Sequence, residues 1–353
     1  MSRPDCSKLL RPLPRSNPGP RPSGAIRVRP EDFQVAEKLS FVPNGEGPHC
    51  FLYIKKTGCN SAWVARQLAV LAACSERDIG YAGQKDRHGV TRQWFSVPLS
   101  AETWAPQLPD GIELLEQTRN QRKLKRGALS GNHFRIRVSD LDGDTSGLEE
   151  SLQRISSDGF PNYFGPQRFG IDGSNLQRAL DWFSRGRKPR NRQARSFALS
   201  AARAFLFNQL LAWRVQAGNW NQLVAGELAQ LAGSRSVFPV EQTDEHIPQR
   251  LADGDIHPSG PLWGRGDAGV SGEIADCEEK LRGEYAELCA GLEAQGLKQE
   301  RRSLRVIPGD LQWQLEADQF TLEFFLPRGS FATTLLREIA DCQDAQTART
   351  RDS

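Results

Sequence analysis

The sequence has no long apolar segment and no apolar stretch near its N-terminus. None of its apolar runs approaches the roughly 18 residues that a membrane-spanning helix needs. A secretory signal would also need an apolar core, whereas the first two dozen residues are rich in arginine and contain six prolines, Pro4, Pro12, Pro14, Pro18, Pro20 and Pro22. We therefore expect a disordered leader over residues 1–22 and a cytoplasmic protein with no membrane contact.

The usual signatures of disulfide, metal and nucleotide sites are missing as well. The seven cysteines are odd in number and form no Cys-x-x-Cys pair, and the five histidines show no ligand spacing. There is no phosphate-binding loop motif. The Gly-x-Gly-x-x-Gly match at residues 264–269 follows Pro261-Leu262-Trp263, and the sequence predicts no apolar strand before it, which a dinucleotide site requires. We therefore expect reduced thiols, no metal and no nucleotide or other cofactor.

Neither sign of charge dominates the composition, because 46 lysines and arginines face 43 acidic residues. The positive charges are nevertheless clustered in two runs that contain no acid, one between positions 119 and 137 and one between positions 185 and 195. The runs comprise Arg119, Arg122, Lys123, Lys125, Arg126, Arg135 and Arg137, then Arg185, Arg187, Lys188, Arg190, Arg192 and Arg195. Such runs are typical of a surface that contacts a phosphate backbone, although a solvated charged face has the same composition.

Residue periodicity predicts strands towards both ends of the chain and helices in its middle. Extended segments are predicted around Ile26 and Val28, at 50–56, 79–82, 91–97 and 133–138, and in a hairpin formed by 311–315 and 320–326. Helices are predicted from an Asn60 or Ser61 cap to residue 74, from residue 199 onward, over 274–292 as one long helix, and just after 327–330.

With 353 residues, the chain is long enough for about two domains. The order of the predicted elements indicates an α+β fold, with a central, mainly antiparallel sheet flanked by helices. We predict that this domain is discontinuous, covering residues 23–157 and 307–345. It would be interrupted by an inserted helix-rich α/β module at 158–306, and residues 346–353 would be a flexible tail.

A polar loop between two predicted strands is the most informative segment for chemistry. In the sequence GYAGQKDRHGVTRQWFSV, Asp86 lies between Lys85 and Arg87. Neighbouring cations favour an ionised carboxylate, which can act as a nucleophile or base. By residue type alone, a charged hairpin turn with Gly83 and Gly89 at its ends is the simpler interpretation.

This segment resembles the catalytic-aspartate motif of the TruD family of pseudouridine synthases, which is named for tRNA pseudouridine at position 13. Further segments resemble that family in the same order. They are PEDFQVAE at 30–37, PNGEGPH at 43–49, KLKRGALSGNHF at 123–134, NYFGPQRFG at 162–170, RSFALSAARAFLFN at 195–208 and PRGSFATTLLRE at 327–338. The resemblance extends from about residue 22 to about residue 340, and implies the pseudouridine synthase fold with an inserted TRUD-type domain at 158–306.

The resemblance also implies roles for single residues. Asp86 matches the catalytic aspartate, and Phe33, Asn132 and Phe331 match positions that contact the target nucleotide. Arg27 occupies the place of a cation beside the aspartate, where some members have lysine. From the residues alone, Phe33 and Phe331 would be core aromatics and Asn132 a turn or cap residue.

The function that follows from the resemblance is isomerisation of uridine to pseudouridine, at position 13 of tRNA, by an isomerase that acts as an intramolecular transferase. Its expected partner is tRNA, held at its backbone by Arg122, Lys123, Lys125 and Arg126, and a monomer without cofactor or metal is expected. One alternative is an RNA-binding or RNA-remodelling protein whose isomerase activity is lost or secondary. Another is the same chemistry at a different RNA position.

Overall fold

Sixteen strands and eight α-helices are present in the computed structural model, which describes residues 6, 9–17, 19–99, 104–240 and 245–346. The strands are β1 (Ser23–Ile26), β2 (Phe33–Leu39), β3 (His49–Thr57), β4 (Gly80–Tyr81), β5 (Val90–Pro98), β6 (Ile112–Asn120), β7 (Leu129–Asp142), β8 (Phe160–Pro161), β9 (Leu228–Leu231), β10 (Val237–Pro239), β11 (Ile256–Leu262), β12 (Glu300–Ser303), β13 (Arg305–Val306), β14 (Gly309–Leu315), β15 (Phe320–Pro327) and β16 (Asp341–Asp344). The helices are α1 (Ser61–Leu71), α2 (Leu148–Asp158), α3 (Ser174–Arg185), α4 (Arg192–Gln216), α5 (Ile247–Ala252), α6 (Gly272–Glu284), α7 (Ala286–Ala294) and α8 (Ala332–Leu336). No helix among these is long and apolar enough to cross a membrane.

The chain divides into two compact units. The sheet unit consists of the described residues of Pro20–Gly147, Pro308–Gly329 and Ala340–Ser353. The helical unit consists of those of Met1–Gly19, Leu148–Ile307 and Ser330–Ile339.

A ten-stranded sheet organises the sheet unit. Its main path runs β14-β15-β7-β2-β5-β3-β6, β1 pairs with both β7 and β16, and β4 pairs with β5. The pairs β1–β16 and β2–β5 are parallel and the other pairs are antiparallel. Helix α1 begins at the predicted Asn60 cap, whose side chain accepts a hydrogen bond from the Trp63 N–H at 2.8 Å. Its apolar face packs on strands β3 and β5. This helix and the mostly antiparallel strand pairs confirm the predicted α+β fold with a mainly antiparallel sheet.

Strand β7 presents two chemically different faces, as its alternating sequence predicts. Phe134 and Asn132 lie on the same face as Phe33, because Phe33 pairs with Ile136 in register across β2 and β7. His133, Arg135 and Arg137 point to the opposite face, where Arg135 pairs with Glu323 at 2.8 Å. The cationic face of this strand is therefore the reverse of the face that carries the predicted substrate residues.

Helix α4 is the centre of the helical unit. Its N-cap Asn191 accepts a hydrogen bond from the Ala194 N–H at 2.6 Å, and thirteen of its residues are buried. It packs against α3, α6, α7 and β11. The unit also contains a four-stranded sheet in the order β10-β9-β11-β12 and the short β13–β8 pair.

The helix predicted over 274–292 is two helices, so that prediction is wrong. Helix α6 ends before Tyr285, whose backbone leaves the helical region at φ −121° and ψ 40°, and α7 begins directly after it. The Tyr285 ring packs edge-on against Phe205, with centroids 5.0 Å apart. Periodicity missed the break because both helices bury one continuous apolar stripe, including Leu281 and Leu288.

The described residues of the predicted leader up to position 19 are part of the helical unit, contrary to the disorder expected of residues 1–22. Cys6 is buried, and Leu9, Leu10 and Leu13 pack on the same core cluster. The Arg337 guanidinium donates to the backbone oxygen of Leu13 at 2.6 Å. The proline and arginine content of this segment suggested disorder, but its leucines supply enough apolar surface to pack on the core.

The two units also run across the predicted domain boundaries. The helical unit begins at 148 rather than 158 and takes in 330–339, which includes Phe331 and α8. Residues 347–353 of the predicted flexible tail, like residues 1–5, 7, 8 and 18 of the leader, lie outside the described residues.

Candidate active site and RNA-contact residues

Asp86 lies on the loop between β4 and β5 of the sheet unit. Its side chain is 55% exposed, and its Oδ2 atom is 3.0 Å from Nη2 of Arg27. Its Oδ1 atom makes no hydrogen bond to any described residue. One carboxylate oxygen is thus held by a cation, while the other has no partner in the described part of the chain.

Arg27 is a buried cation with an unusual backbone. It follows β1 directly, has φ of 58°, and its side chain is only 6% exposed. A second carboxylate, that of Asp344, contacts Nη1 at 2.5 Å. The left-handed backbone ends β1, although the alternating sequence predicted continued extended structure through Val28.

The Phe33 ring packs against the Arg27 guanidinium. The Arg27 Cζ atom lies 3.8 Å from the Phe33 ring centroid, which is a close cation–π contact. The edge of the Phe134 ring approaches Phe33, with centroids 6.4 Å apart, and Phe33 is itself buried. In this structure Phe33 therefore contacts the cation of the site, whereas the resemblance implied contact with the target nucleotide.

A buried lysine holds the backbone of the Asp86 loop. Lys56 continues the inward parity of Cys50, Leu52 and Ile54 along β3, and it is 1% exposed. Its Nζ atom donates to the backbone oxygen of Cys59 at 2.7 Å and to that of Asp86 at 3.0 Å. Burial lowers the pKa of Lys56 to about 8, against a weaker opposing influence of Cys59 and Asp86.

A second set of buried polar contacts fixes the start of the same loop. The Lys85 ammonium is 2.8 Å from Glu37, and both side chains are buried. The Ser61 hydroxyl accepts from the Lys85 N–H at 2.9 Å and donates to Gln93 at 2.5 Å. The loop ends at Gly89, where a Cβ atom would lie 2.5 Å from the backbone oxygen of Phe33, so only glycine allows this approach.

Asn132 lies on β7 opposite Glu37, on the face that carries Phe33. Its Oδ1 atom is buried and has no hydrogen-bond partner in the described structure. An unsatisfied buried acceptor is costly unless a ligand supplies the donor. Asn132 can therefore accept a hydrogen bond from a bound group.

The four predicted backbone-contact residues lie on the loop between β6 and β7. Arg122 and Lys125 are exposed, but the Lys123 ammonium donates to the backbone oxygen of Arg77. The Arg126 guanidinium stacks 3.6 Å above the Tyr81 ring. Two of the four cations thus have structural contacts of their own, and two are available to a partner.

Phe331 belongs to the helical unit, where it precedes α8. Its ring is half-buried and meets the Phe164 ring edge-on at 6.3 Å. It lines a cavity of about 260 Å³ together with Phe197, Ser200 and Arg168. Arg168 donates to the Ser200 hydroxyl at 3.0 Å, and no carboxylate among the described residues pairs with it.

The second basic run lies at the N-terminal end of α4. A cavity of about 560 Å³ opens there, lined by Arg178, Arg187, Arg190 and Phe197 among others.

All seven cysteines are free thiols. The described residues contain no group of three or more histidine, cysteine or carboxylate side chains that could hold a metal ion.

Comparison with known proteins agrees with the motifs. The family model described as tRNA pseudouridine synthase D (TruD) matches residues 18–178 and 188–339. The chain belongs to the TruD family. The Asp86 loop, β7 and the segment around Phe331 all fall within the matched regions, whereas Asp344 lies beyond them.

Two curated TruD relatives show how closely the sequences agree. A protein from Nitrosococcus oceani named tRNA pseudouridine synthase D is 48% identical over 332 residues, covering 92% of this chain and 93% of the relative. One of the same name from Methylococcus capsulatus is 47% identical and covers 96% of both. A crystal structure from Methanosarcina mazei, described as a candidate TruD, superposes with a TM-score of 0.74 at 21% identity, covering 96% of this chain and 98% of that one, and supports the fold.

The TruD motifs did not identify Lys56, Glu37 or Asp344 as part of this site. Strand parity could have found the first two, because each continues an inward-facing apolar series, Leu52-Ile54-Lys56 on β3 and Phe33-Val35-Glu37 on β2. A charged residue at such a position needs a buried partner. Nothing local in the sequence marks Asp344, since its partner lies at the other end of the chain.

Proposed function

We propose that this chain isomerises uridine to pseudouridine in tRNA, with Asp86 as the reacting carboxylate. The observation that carries the proposal is the asymmetric setting of that carboxylate. Buried Arg27 holds Oδ2, while Oδ1 has no hydrogen-bond partner among the described residues and the Asp86 side chain is 55% exposed. A nucleophile or base at a sugar carbon requires a carboxylate that is held in position and still has one oxygen free to react.

The proposed reaction conserves atoms and electrons. The bond between ribose C1′ and base N1 breaks, the base turns, and a new bond forms between C1′ and C5. The proton on C5 leaves to solvent and N1 gains one, so the product has the mass of the substrate. No oxidant, reductant or group donor is needed.

Asp86 would serve either of two routes. Its free oxygen would attack C1′ and form a covalent sugar intermediate, or it would take a proton from C2′ so that the base departs. Arg27 would hold the carboxylate in place on both routes. The two routes differ in whether a covalent intermediate between enzyme and RNA can be trapped.

Two further residues are proposed to bind the nucleotide that leaves its stack, and a third to act indirectly. The unsatisfied Oδ1 of Asn132 would accept a hydrogen bond from the uracil N–H or a ribose hydroxyl. Phe331 would offer an aromatic face, since stacking on an aromatic ring contributes ~1–3 kcal/mol per base. Phe33 would act through Arg27, which it supports.

The remaining proposals concern the RNA partner and its setting. We propose position 13 of tRNA as the target, following the family's name, and Arg122 and Lys125 as its principal backbone contacts. We also propose a cytoplasmic monomer, the state expected from the sequence. We also propose that the sheet unit, which carries Asp86, is the catalytic domain.

The test is formation of pseudouridine in an unmodified tRNA transcript, read by carbodiimide labelling and primer extension. We expect a stop at one position with wild-type protein and none with Asp86→Asn, which is nearly isosteric. The matched control is Asp110→Asn, an exposed aspartate on another loop of the sheet unit. Wild-type protein that binds tRNA without modifying it would indicate the RNA-binding alternative, and an active Asp86→Asn variant would remove Asp86 from the reaction.

A further inference from the structure

The C-terminal strand β16 reaches the candidate site from outside the family match. It pairs in parallel with β1, which places Asp344 opposite Ile26, the residue before Arg27. The TruD family model ends at residue 339. The family resemblance therefore assigns no role to this strand.

Asp344 at the end of β16 and Gln346, two residues later, hold Arg27 at its side chain and at its backbone. Asp344 Oδ2 contacts Arg27 Nη1 at 2.5 Å, and Asp344 Oδ1 accepts from the Gln346 N–H at 3.1 Å. The Gln346 side chain in turn donates to the backbone oxygen of Arg27 at 3.1 Å. The left-handed backbone and buried side chain of Arg27 are thus fixed by residues near the end of the chain.

The division of the Arg27 guanidinium between two carboxylates controls how it meets Asp86. Asp344 takes Nη1, and Asp86 receives only Nη2, through one of its two oxygens. Without Asp344, Asp86 would be the remaining carboxylate paired with a buried cation. A guanidinium free to reorient favours a two-pronged pair, which would occupy both oxygens of Asp86.

We propose that Asp344 is a positioning residue for the isomerisation, which orients Arg27 so that one oxygen of Asp86 is held and the other stays free. The inference rests on the proposed function of Asp86. A merely structural role, in which Asp344 only anchors the C-terminal strand, would change stability and leave the chemical step alone.

The kinetic test uses single-turnover release of tritium from carbon 5 of uridine in a tRNA transcript at saturating protein. We expect Asp344→Asn to slow this step by roughly 10- to 100-fold, since a charge-assisted contact is lost. The tRNA dissociation constant should stay within about twofold. Asp344→Glu should recover part of the rate, and Gln343→Ala, an exposed neighbour on the same strand, should match wild type.

The dependence on Arg27 separates positioning from anchoring. In an Arg27→Met background, adding Asp344→Asn should cause no further loss of rate, because the residue through which it acts is gone. An equal further loss there, or an Asp344→Asn rate within about twofold of wild type, would overturn the proposal.

A second arm needs no RNA and keeps the inference distinct from the proposed function. Denaturant unfolding of wild type, Asp344→Asn, Arg27→Met and the double variant forms a cycle in the free energy of unfolding. Non-additive effects support the contact between Asp344 and Arg27, and additive effects overturn it. An inactive wild type with a non-additive cycle would contradict the function assigned to Asp86 and leave the contact standing.

Discussion

Replacing Lys56 with methionine tests whether a buried lysine positions the Asp86 loop. The substitution keeps an unbranched side chain, one atom shorter, and removes the ammonium that donates to the backbone oxygens of Cys59 and Asp86. A carbonyl that is shielded from water and left unpaired costs about 1–3 kcal/mol, and the hydrogen bonds to these two carbonyls are partly buried. The loop would then lose its contact with β3, and displacement of a reacting group by about 1 Å costs roughly 100-fold in rate.

The stability change should be much smaller than the activity change, because two effects oppose each other. Burial lowers the pKa of Lys56 from 10.5 to about 8. A pKa lowered to that extent means that keeping the buried amine charged costs about 3 kcal/mol of folding free energy. Methionine removes this cost but leaves the two carbonyls unpaired. We expect a net loss of about 1 kcal/mol in the free energy of unfolding near neutral pH.

The same pKa gives a pH dependence with a definite sign. Between pH 8 and 10.5 the unfolded chain binds more protons at Lys56 than the folded chain, so wild-type stability gains with rising pH from this group. The methionine variant lacks that gain, and its deficit should widen across this window. Groups that face the amine, namely Cys59, Asp86 and Lys85, are present in both proteins.

The assays are denaturant unfolding at several pH values and the single-turnover tritium assay. Lys55→Met is the matched control, because Lys55 points to the other face and makes an exposed pair with Glu113, which is worth about 0–1 kcal/mol. A deficit that stays constant with pH would refute the burial argument. A Lys56→Met rate equal to that of Lys55→Met would refute the positioning of the Asp86 loop.

Three further outcomes are expected. Neutralising Arg122 and Lys125 together should weaken tRNA binding and reduce the slope of log affinity against log salt by about one per lost phosphate contact. An unchanged slope would indicate that both side chains only face solvent. Phe331→Leu should lower the single-turnover rate far more than the melting temperature and Phe331→Tyr should be milder, whereas the reverse order would indicate a core role. Glu227→Gln should destabilise the protein by about 3–5 kcal/mol in denaturant unfolding, since it leaves buried Arg214 without its carboxylate, and a loss below about 1 kcal/mol would contradict that pairing.

Local patterns in the sequence determined much of the fold and the position of the Asp86 loop. Local residue patterns predicted β3 and β5, alternation predicted β7 and the β14–β15 hairpin, and a cap residue predicted the start of α1. These features depend on neighbours a few residues apart, which the sequence displays directly. The TruD motifs then singled out Asp86 within a loop whose composition alone indicated only a charged turn.

Tertiary structure decided what surrounds Asp86. Arg27 meets it across 59 residues of chain and meets Asp344 across 317, and both contacts depend on the left-handed turn after β1 and on the pairing of β1 with β16. Tertiary packing also placed the Phe33 ring against the Arg27 guanidinium, a contact that no local pattern indicates, and contact of Phe33 with the target nucleotide stays a prediction. Residues so distant in sequence meet only when the strands that carry them pair in the right register. The side chains of a strand determine which of its faces is buried, but they do not determine which strand lies beside it.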